Sequence, residues 1–218
     1  IYQLVRDLLS DKANRKLIAD NFPKPTVTRR NTGYALDQLL DCSVFDSSSD
    51  KPFNLCRLLS GSEGTLFFGV EFEINCVPIP PPSTLMCAHF DSVLDSLNAT
   101  LIAMKHHPFG CELIDRHILE CTKANLEHSK NRFFVEGDPG AVLVIEIRHD
   151  DKAHVASEMA AIESEMCAAG LGYAFPILNG TDCDKVWELR RAGQGLMNNV
   201  EGPAKPRENV EDTAVAVE

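Results

Sequence analysis

Apolar residues recur through the first twenty positions at mixed three- and four-residue spacing, as Leu4, Leu8, Leu9, Ala13 and Leu17, which predicts one amphipathic helix. Pro23, Pro25 and a polar turn at Asn31 to Gly33 interrupt that pattern before a short helix through Leu40, and the acidic, serine-rich run 46–50 predicts a loop. Leu55 to Leu59 and Thr65 to Val77 read as strands on either side of a glycine turn, the second carrying aromatic and β-branched residues. Pro78, Pro80, Pro81 and Pro82 then form the sharpest break in the chain. Proline cannot donate to a sheet ladder and keeps the chain extended, so a domain boundary is expected there, with residues 1–82 on one side and 83–218 on the other.

Beyond the prolines the two periods alternate. A strand at Thr84 to Phe90 leads to a helix from Asp91 to His106 with Leu94, Leu97, Leu101 and Met104 on its apolar face, then a strand at Phe109 to Asp115 and a short helix to about Asn125. A second run places a strand at Ala141 to His149 and a helix at Asp151 to Ala169 with Val155, Met159, Ile162 and Met166 in register. Gly170 ends that helix, and a strand at Gly172 to Leu178 and a helix from Asp182 follow. Two consecutive β-α-β units without a glycine-rich nucleotide turn predict a split, ferredoxin-like α+β sheet. The tail 200–218, with Gly202, Pro203, Pro206 and many charges, reads as a linker.

Composition narrows the class. A chain of 218 residues with 44% hydrophobic content can build real cores. Its formal net charge of -11 disfavours nucleic acid or an anionic membrane surface as partner, because both are bound through basic residues. No apolar run approaches the roughly 20 residues that span a bilayer, and the first residues lack the order of a signal peptide. A cytoplasmic location is expected, or a peripheral one on a membrane for a longer protein. The start, without cap or initiator methionine, suggests a chain cut from something larger. The eight cysteines include no C-x-x-C pair and mostly sit in apolar segments, so buried thiols are expected and no metal site.

Two places carry candidate chemistry. Gly61-Ser62-Glu63-Gly64-Thr65-Leu66 sets two glycines and two hydroxyls at one turn. Such a turn can bring backbone N–H groups close to a ligand, although glycine and serine are also ordinary turn residues. On the last helix Val186, Leu189, Gly193 and Leu196 form one stripe, Arg190 and Gln194 lie on its flank, and Arg191 points away. A flank arginine can bind a carboxylate bidentately, or can serve as one half of a surface ion pair.

Asn31-Thr32-Gly33-Tyr34-Ala35-Leu36 together with Gly61-Ser62-Glu63-Gly64-Thr65-Leu66 resembles the second half of the flavin domain in FAD-linked oxidases and dehydrogenases of the vanillyl-alcohol oxidase type. The D-lactate dehydrogenase, glycolate oxidase and D-2-hydroxyglutarate dehydrogenase branches are the most similar, and the resemblance continues through Trp187-Glu188-Leu189-Arg190-Arg191-Ala192-Gly193 and Val210-Glu211-Asp212-Thr213-Ala214-Val215. It implies the C-terminal part of an FAD-binding domain followed by a ferredoxin-like cap over the flavin. It also implies FAD as cofactor, with Thr32, Gly33, Gly61, Ser62, Glu63, Gly64 and Thr65 at the adenosine-diphosphate end. Glu63 would be repelled by phosphate, so a structural or ribose-facing role suits it better. Arg190, Gln194 and Lys205 match substrate-binding positions for a D-2-hydroxy acid such as D-lactate, which would be oxidised to the 2-oxo acid with its hydride passing to the flavin and its electrons on to an acceptor. The chain departs from the family pattern where Phe67-Phe68-Gly69 stands in place of a glycine directly after leucine.

The family's earlier glycine-rich segment and its later histidine-rich segment, which brings the base and in many branches a divalent metal, have no counterpart here. The expectation is therefore an internal fragment, inactive without the remainder of its polypeptide and without catalytic residues of its own. His106, His107 and His117 could each be argued for as the base, but helix-end and strand-end histidines are usually solvated or cap carbonyls. Two other readings are an FAD-linked oxidase of another alcohol, which would not need Arg190 and Lys205, and a non-catalytic ferredoxin-like ligand-binding module.

Overall fold

The computed structural model describes residues 1–27, 33–123, 125–198, 202–205 and 215. Its packing divides the chain into two compact units, one built on Ile1–Cys76 and the other on Val77–Arg207, so the division falls just before the proline run.

The first unit opens with two helices rather than the single one expected, α1 (Tyr2–Ser10) and α2 (Lys12–Asn21). Asp11 separates them: its backbone is extended and its carboxylate accepts the Ala13 N–H at 2.7 Å, an N-cap that starts a new helix. The break also redirects the apolar stripe. Leu9 and Ile18 are buried, whereas Leu4, Leu8 and Leu17 are exposed. With α3 (Leu36–Leu40) and α4 (Cys56–Leu59) they enclose a small core of Leu9, Ile18, Leu39 and Leu58.

Both strands expected in this unit are absent among the described residues. Leu55 to Leu59 winds into α4, and residues 65–77 form no ladder. Val70, Phe72 and Ile74 do alternate with Glu71, Glu73 and Asn75, but a strand exists only through hydrogen bonds to a neighbour, and none of the described residues provides one. The apolar side of that alternation is correspondingly exposed, Val70 at 89% and Ile74 at 81%.

In the second unit β1 (Ser83–Phe90), β2 (Gly110–Asp115), β3 (Ala141–Arg148) and β4 (Ile177–Asn179) form an antiparallel sheet of order β2-β3-β1-β4. Helices α5 (Val93–Ala103) and α7 (Lys152–Ala168) connect β1 to β2 and β3 to β4, which is the ferredoxin-like α+β arrangement. They cover one face, packing Met86, Ala88, Phe90, Leu143 and Ile145 against Ala99, Met159, Ile162 and Met166. Helices α6 (Arg116–Lys123) and α8 (Thr181–Asn198) cover the other, over Leu85, Cys87, Val142 and Val144. Burial on both faces explains why β1 and β3 read as nearly continuous apolar runs.

Three expectations need correction, the first two of them in this unit. The face α5 turns inward carries Ser96, Ala99 and Ala103, while Leu94, Leu97, Leu101 and Met104 are exposed. Both sets have helical spacing, and the small side chains let the helix approach a sheet face already filled by Phe90, Leu143 and Met159. The last strand is shorter than Gly172 to Leu178 because Pro176 has no N–H to pair. Its carbonyl accepts from Cys87, and upstream only a single bridge joins Ala174 to His89. Of the eight cysteines, all free, Cys56, Cys76 and Cys167 are exposed rather than buried. Desolvation pushes the thiol of buried Cys87 up to about 12 and that of partly buried Cys111 to about 11, so neither is poised for thiolate chemistry.

His89 is buried in β1 with both ring nitrogens used. Nδ1 lies 2.8 Å from the Cys87 carbonyl and must donate, while Nε2 accepts the Glu136 N–H at 3.1 Å, so the ring is the neutral Nδ1–H tautomer. Burial lowers its pKa below the usual 6.5. The unfolded chain therefore binds a proton that the folded one refuses. The stabilisation is complete above about pH 6.5 and is lost as pH falls towards the folded-state value. Urea unfolding followed from pH 7.5 to 5 is expected to show that loss, and His89→Gln, which keeps a donor and an acceptor without titrating, is expected to flatten it.

Candidate functional site

The glycine turn is wound from its own hydroxyls. At the end of α4 the Leu59 carbonyl accepts both the Ser62 N–H, at 3.1 Å, and the Ser62 hydroxyl, at 2.8 Å. Three residues on, the Ser62 carbonyl accepts the Thr65 N–H at 2.9 Å and the Thr65 hydroxyl at 2.6 Å, and the Tyr34 hydroxyl lies 2.8 Å from Thr65 Oγ1. Ser62 is buried and Thr65 exposed, and both hydroxyls donate to carbonyls of the turn and so shape the loop. Glu63 and Gly64 follow at φ of 49° and 76°, the left-handed region that glycine tolerates best. Their N–H groups have no acceptor among the described residues.

Gly33, itself at φ of 79°, brings its carbonyl to 3.7 Å from where a Cβ on Gly61 would stand, so the two turns lie against each other. Space beside Gly64 is open. The turn thus presents an open backbone surface with two N–H donors that have no acceptor among the described residues. Thr32 lies outside the described residues.

On α8 the stripe is as its spacing requires: Val186 and Leu189 are fully buried and Leu196 nearly so. Gly193 seats the helix on α6, since a Cβ there would stand 3.1 Å from Ile118 Cδ1. Asn131, buried, ties the helix down further by donating to Glu188 at 2.9 Å. Arg190 leaves this rigid helix at the flank and is half-exposed. Its Nε and Nη2 both donate to Glu112 Oε2, at 3.1 and 2.8 Å. Arg191 is exposed, with no hydrogen-bond or ion-pair partner among the described residues. The Gln194 side chain lies outside the described residues, and Lys205 sits in the exposed stretch 202–205 after the helix.

The remaining candidates have structural places. His106 stands between Glu158, 3.0 Å from Nδ1, and Glu165, 3.2 Å from Nε2, and so fastens the turn after α5 to α7. His107 closes that turn in a left-handed conformation, and His117 is exposed on α6. Among the described residues no group of three His, Cys, Asp or Glu side chains is placed to hold a metal ion, and no helix is long and apolar enough to cross a membrane.

Two residues with a part in these sites were not singled out from sequence, Tyr34 and Glu112. Glu112 did leave a signal, a carboxylate in the middle of the apolar strand Cys111 to Ile114, where an unpaired charge would be costly.

Residues 79–218 match the family described as FAD linked oxidases, C-terminal domain. Over its whole length the chain is 30% identical to a D-2-hydroxyglutarate dehydrogenase of Pseudomonas putida, of which it covers 21%. An Escherichia coli protein of the same name is 25% identical over 95% of this chain and 20% of its own length, and one from Haemophilus influenzae 28% identical over 89% and 19%. The chain thus spans about a fifth of the length of the curated relatives it matches.

Proposed function

Because this chain belongs to the FAD-linked oxidase family, whose C-terminal domain it carries, we propose that it forms part of a flavin-dependent dehydrogenase of D-2-hydroxy acids. FAD is the cofactor of that family. Support for the substrate class comes from Arg190, a half-exposed guanidinium on an immobile helix with donors to spare, and from relatives that are named for D-2-hydroxyglutarate.

When bound, FAD would supply the hydride acceptor for oxidation at the substrate's C2. The residues of this chain bind and orient. Arg190 holds the carboxylate beside the reacting carbon, Lys205 adds a second positive charge, and Gln194 offers a polar contact one turn along α8. Gly33 and Gly61 to Thr65, with Thr32, would form the wall that holds the adenosine-diphosphate end of the cofactor. No side chain of this chain is assigned as the base that removes the hydroxyl proton, and residues 1–82 and 83–218 are taken as the flavin-domain part and the cap.

The test is anaerobic bleaching of flavin absorbance in the full-length protein on adding D-2-hydroxyglutarate, D-lactate or a neutral aryl alcohol. Bleaching by at least one hydroxy acid and not by the neutral alcohol is expected. Bleaching by the neutral alcohol alone would assign another donor, and a full-length protein without flavin would assign a non-catalytic module.

A further inference from the structure

We infer that Glu112 is a positioning residue for Arg190, aiming the free edge of the guanidinium at the substrate carboxylate; the inference rests on the substrate reading above. An arginine on an exposed helix flank has four rotatable bonds and loses that freedom when it binds. Glu112 removes part of the loss beforehand. Its Oε2 takes the Nε–H and one Nη2–H, the inner side of the fork. Both Nη1 hydrogens and the second on Nη2 have no acceptor among the described residues, and that Nη2–H with the neighbouring Nη1–H forms the end-on edge that can receive a carboxylate through two parallel hydrogen bonds.

The backbone that carries Glu112 is well fixed. It pairs with Val144 of β3, and the pleat turns it to the same face as Ile114 and the helices α6 and α8. β2 is an edge strand, and among the described residues no further strand lies beyond it.

The experiment uses the full-length, flavin-loaded enzyme and titrates the 2-oxo acid product, 2-oxoglutarate or pyruvate, by its perturbation of the flavin spectrum, alongside steady-state kinetics and thermal melting. Glu112→Ala is expected to raise the dissociation constant and KM roughly three- to tenfold, the scale of ordering one long side chain, with kcat little changed. Glu112→Gln, whose amide oxygen still accepts both N–H groups, is expected to recover most of the loss. Melting temperature is expected to stay near wild type, since a half-exposed ion pair adds little stability. In an Arg190→Ala background, Glu112→Ala is expected to have no further effect.

Tighter product binding in Glu112→Ala would mean that Glu112 competes with substrate and would overturn the inference. So would a loss of the same size with Arg190 absent, or one that follows a fall in melting temperature. If Arg190→Ala weakens binding and Glu112→Ala does not, the Glu112 role alone fails. If Arg190→Ala leaves binding unchanged, the substrate site itself is misplaced.

Discussion

Replacing Arg190 with alanine in the full-length protein is expected to lower kcat/KM for a D-2-hydroxy acid by roughly 30- to 1000-fold, while Arg191→Ala changes little. Losing a charged hydrogen-bonding partner in a partly dry site costs ~2–4 kcal/mol, and each ~1.4 kcal/mol is a factor of ten. The two arginines are neighbours on one helix with similar exposure, so a general effect on helix or surface charge would strike both. Only Arg190 is held by a carboxylate with its outer edge open. The measurement is kcat/KM for both variants on D-lactate and D-2-hydroxyglutarate, with melting temperatures beside them. Near-normal activity of Arg190→Ala, or losses in both variants that track stability, would make the pair with Glu112 an ordinary surface ion pair.

The second large effect is expected at Gly140, immediately before β3. A Cβ there would stand 2.1 Å from the Asp91 carbonyl oxygen and 2.7 Å from its carbon. These are backbone atoms and cannot swing aside. Relief requires separating the chain at Gly140 from the chain leaving β1, yet Gly140 donates to the Phe90 carbonyl at 2.8 Å and accepts from Arg116 at 3.0 Å. Next to it, Phe90 and Ala141 pair in the centre of the sheet. Gly140→Ala is therefore expected to destabilise the second unit by about 2–4 kcal/mol, read as a lower urea midpoint at unchanged slope. Gly195 on α8 is the control: nothing lies within 4 Å of its would-be Cβ, and alanine there is expected to be neutral or to stabilise by up to about 1 kcal/mol through helix propensity. Equal loss in both variants would point away from the Asp91 contact.

Much of the candidate site was legible because its signals are local. The Gly61 to Thr65 turn and the Arg190 flank follow from residue type and from ~100° per residue along one helix. How the groups are used was not legible. The Ser62 and Thr65 hydroxyls are spent inside the turn because carbonyls of the same turn lie within 3 Å, and only the coordinates of a closed loop show that. Glu112 and Arg190 are 78 positions apart and meet because an edge strand and a helix cover each other.

The same division runs through the fold. Strands β1 and β3, the α7 stripe Val155, Met159, Ile162 and Met166 and the α8 stripe were all determined by the sequence, since each depends on periodicity within a single element. The tertiary structure decided matters in which two segments compete for one place. It chose the small-residue face of α5 over the leucine face, because the sheet beneath was already full. It left residues 65–77 without a ladder although their alternation is correct, because a strand is a relation between two chains of backbone and its own residues hold only half of the hydrogen bonds.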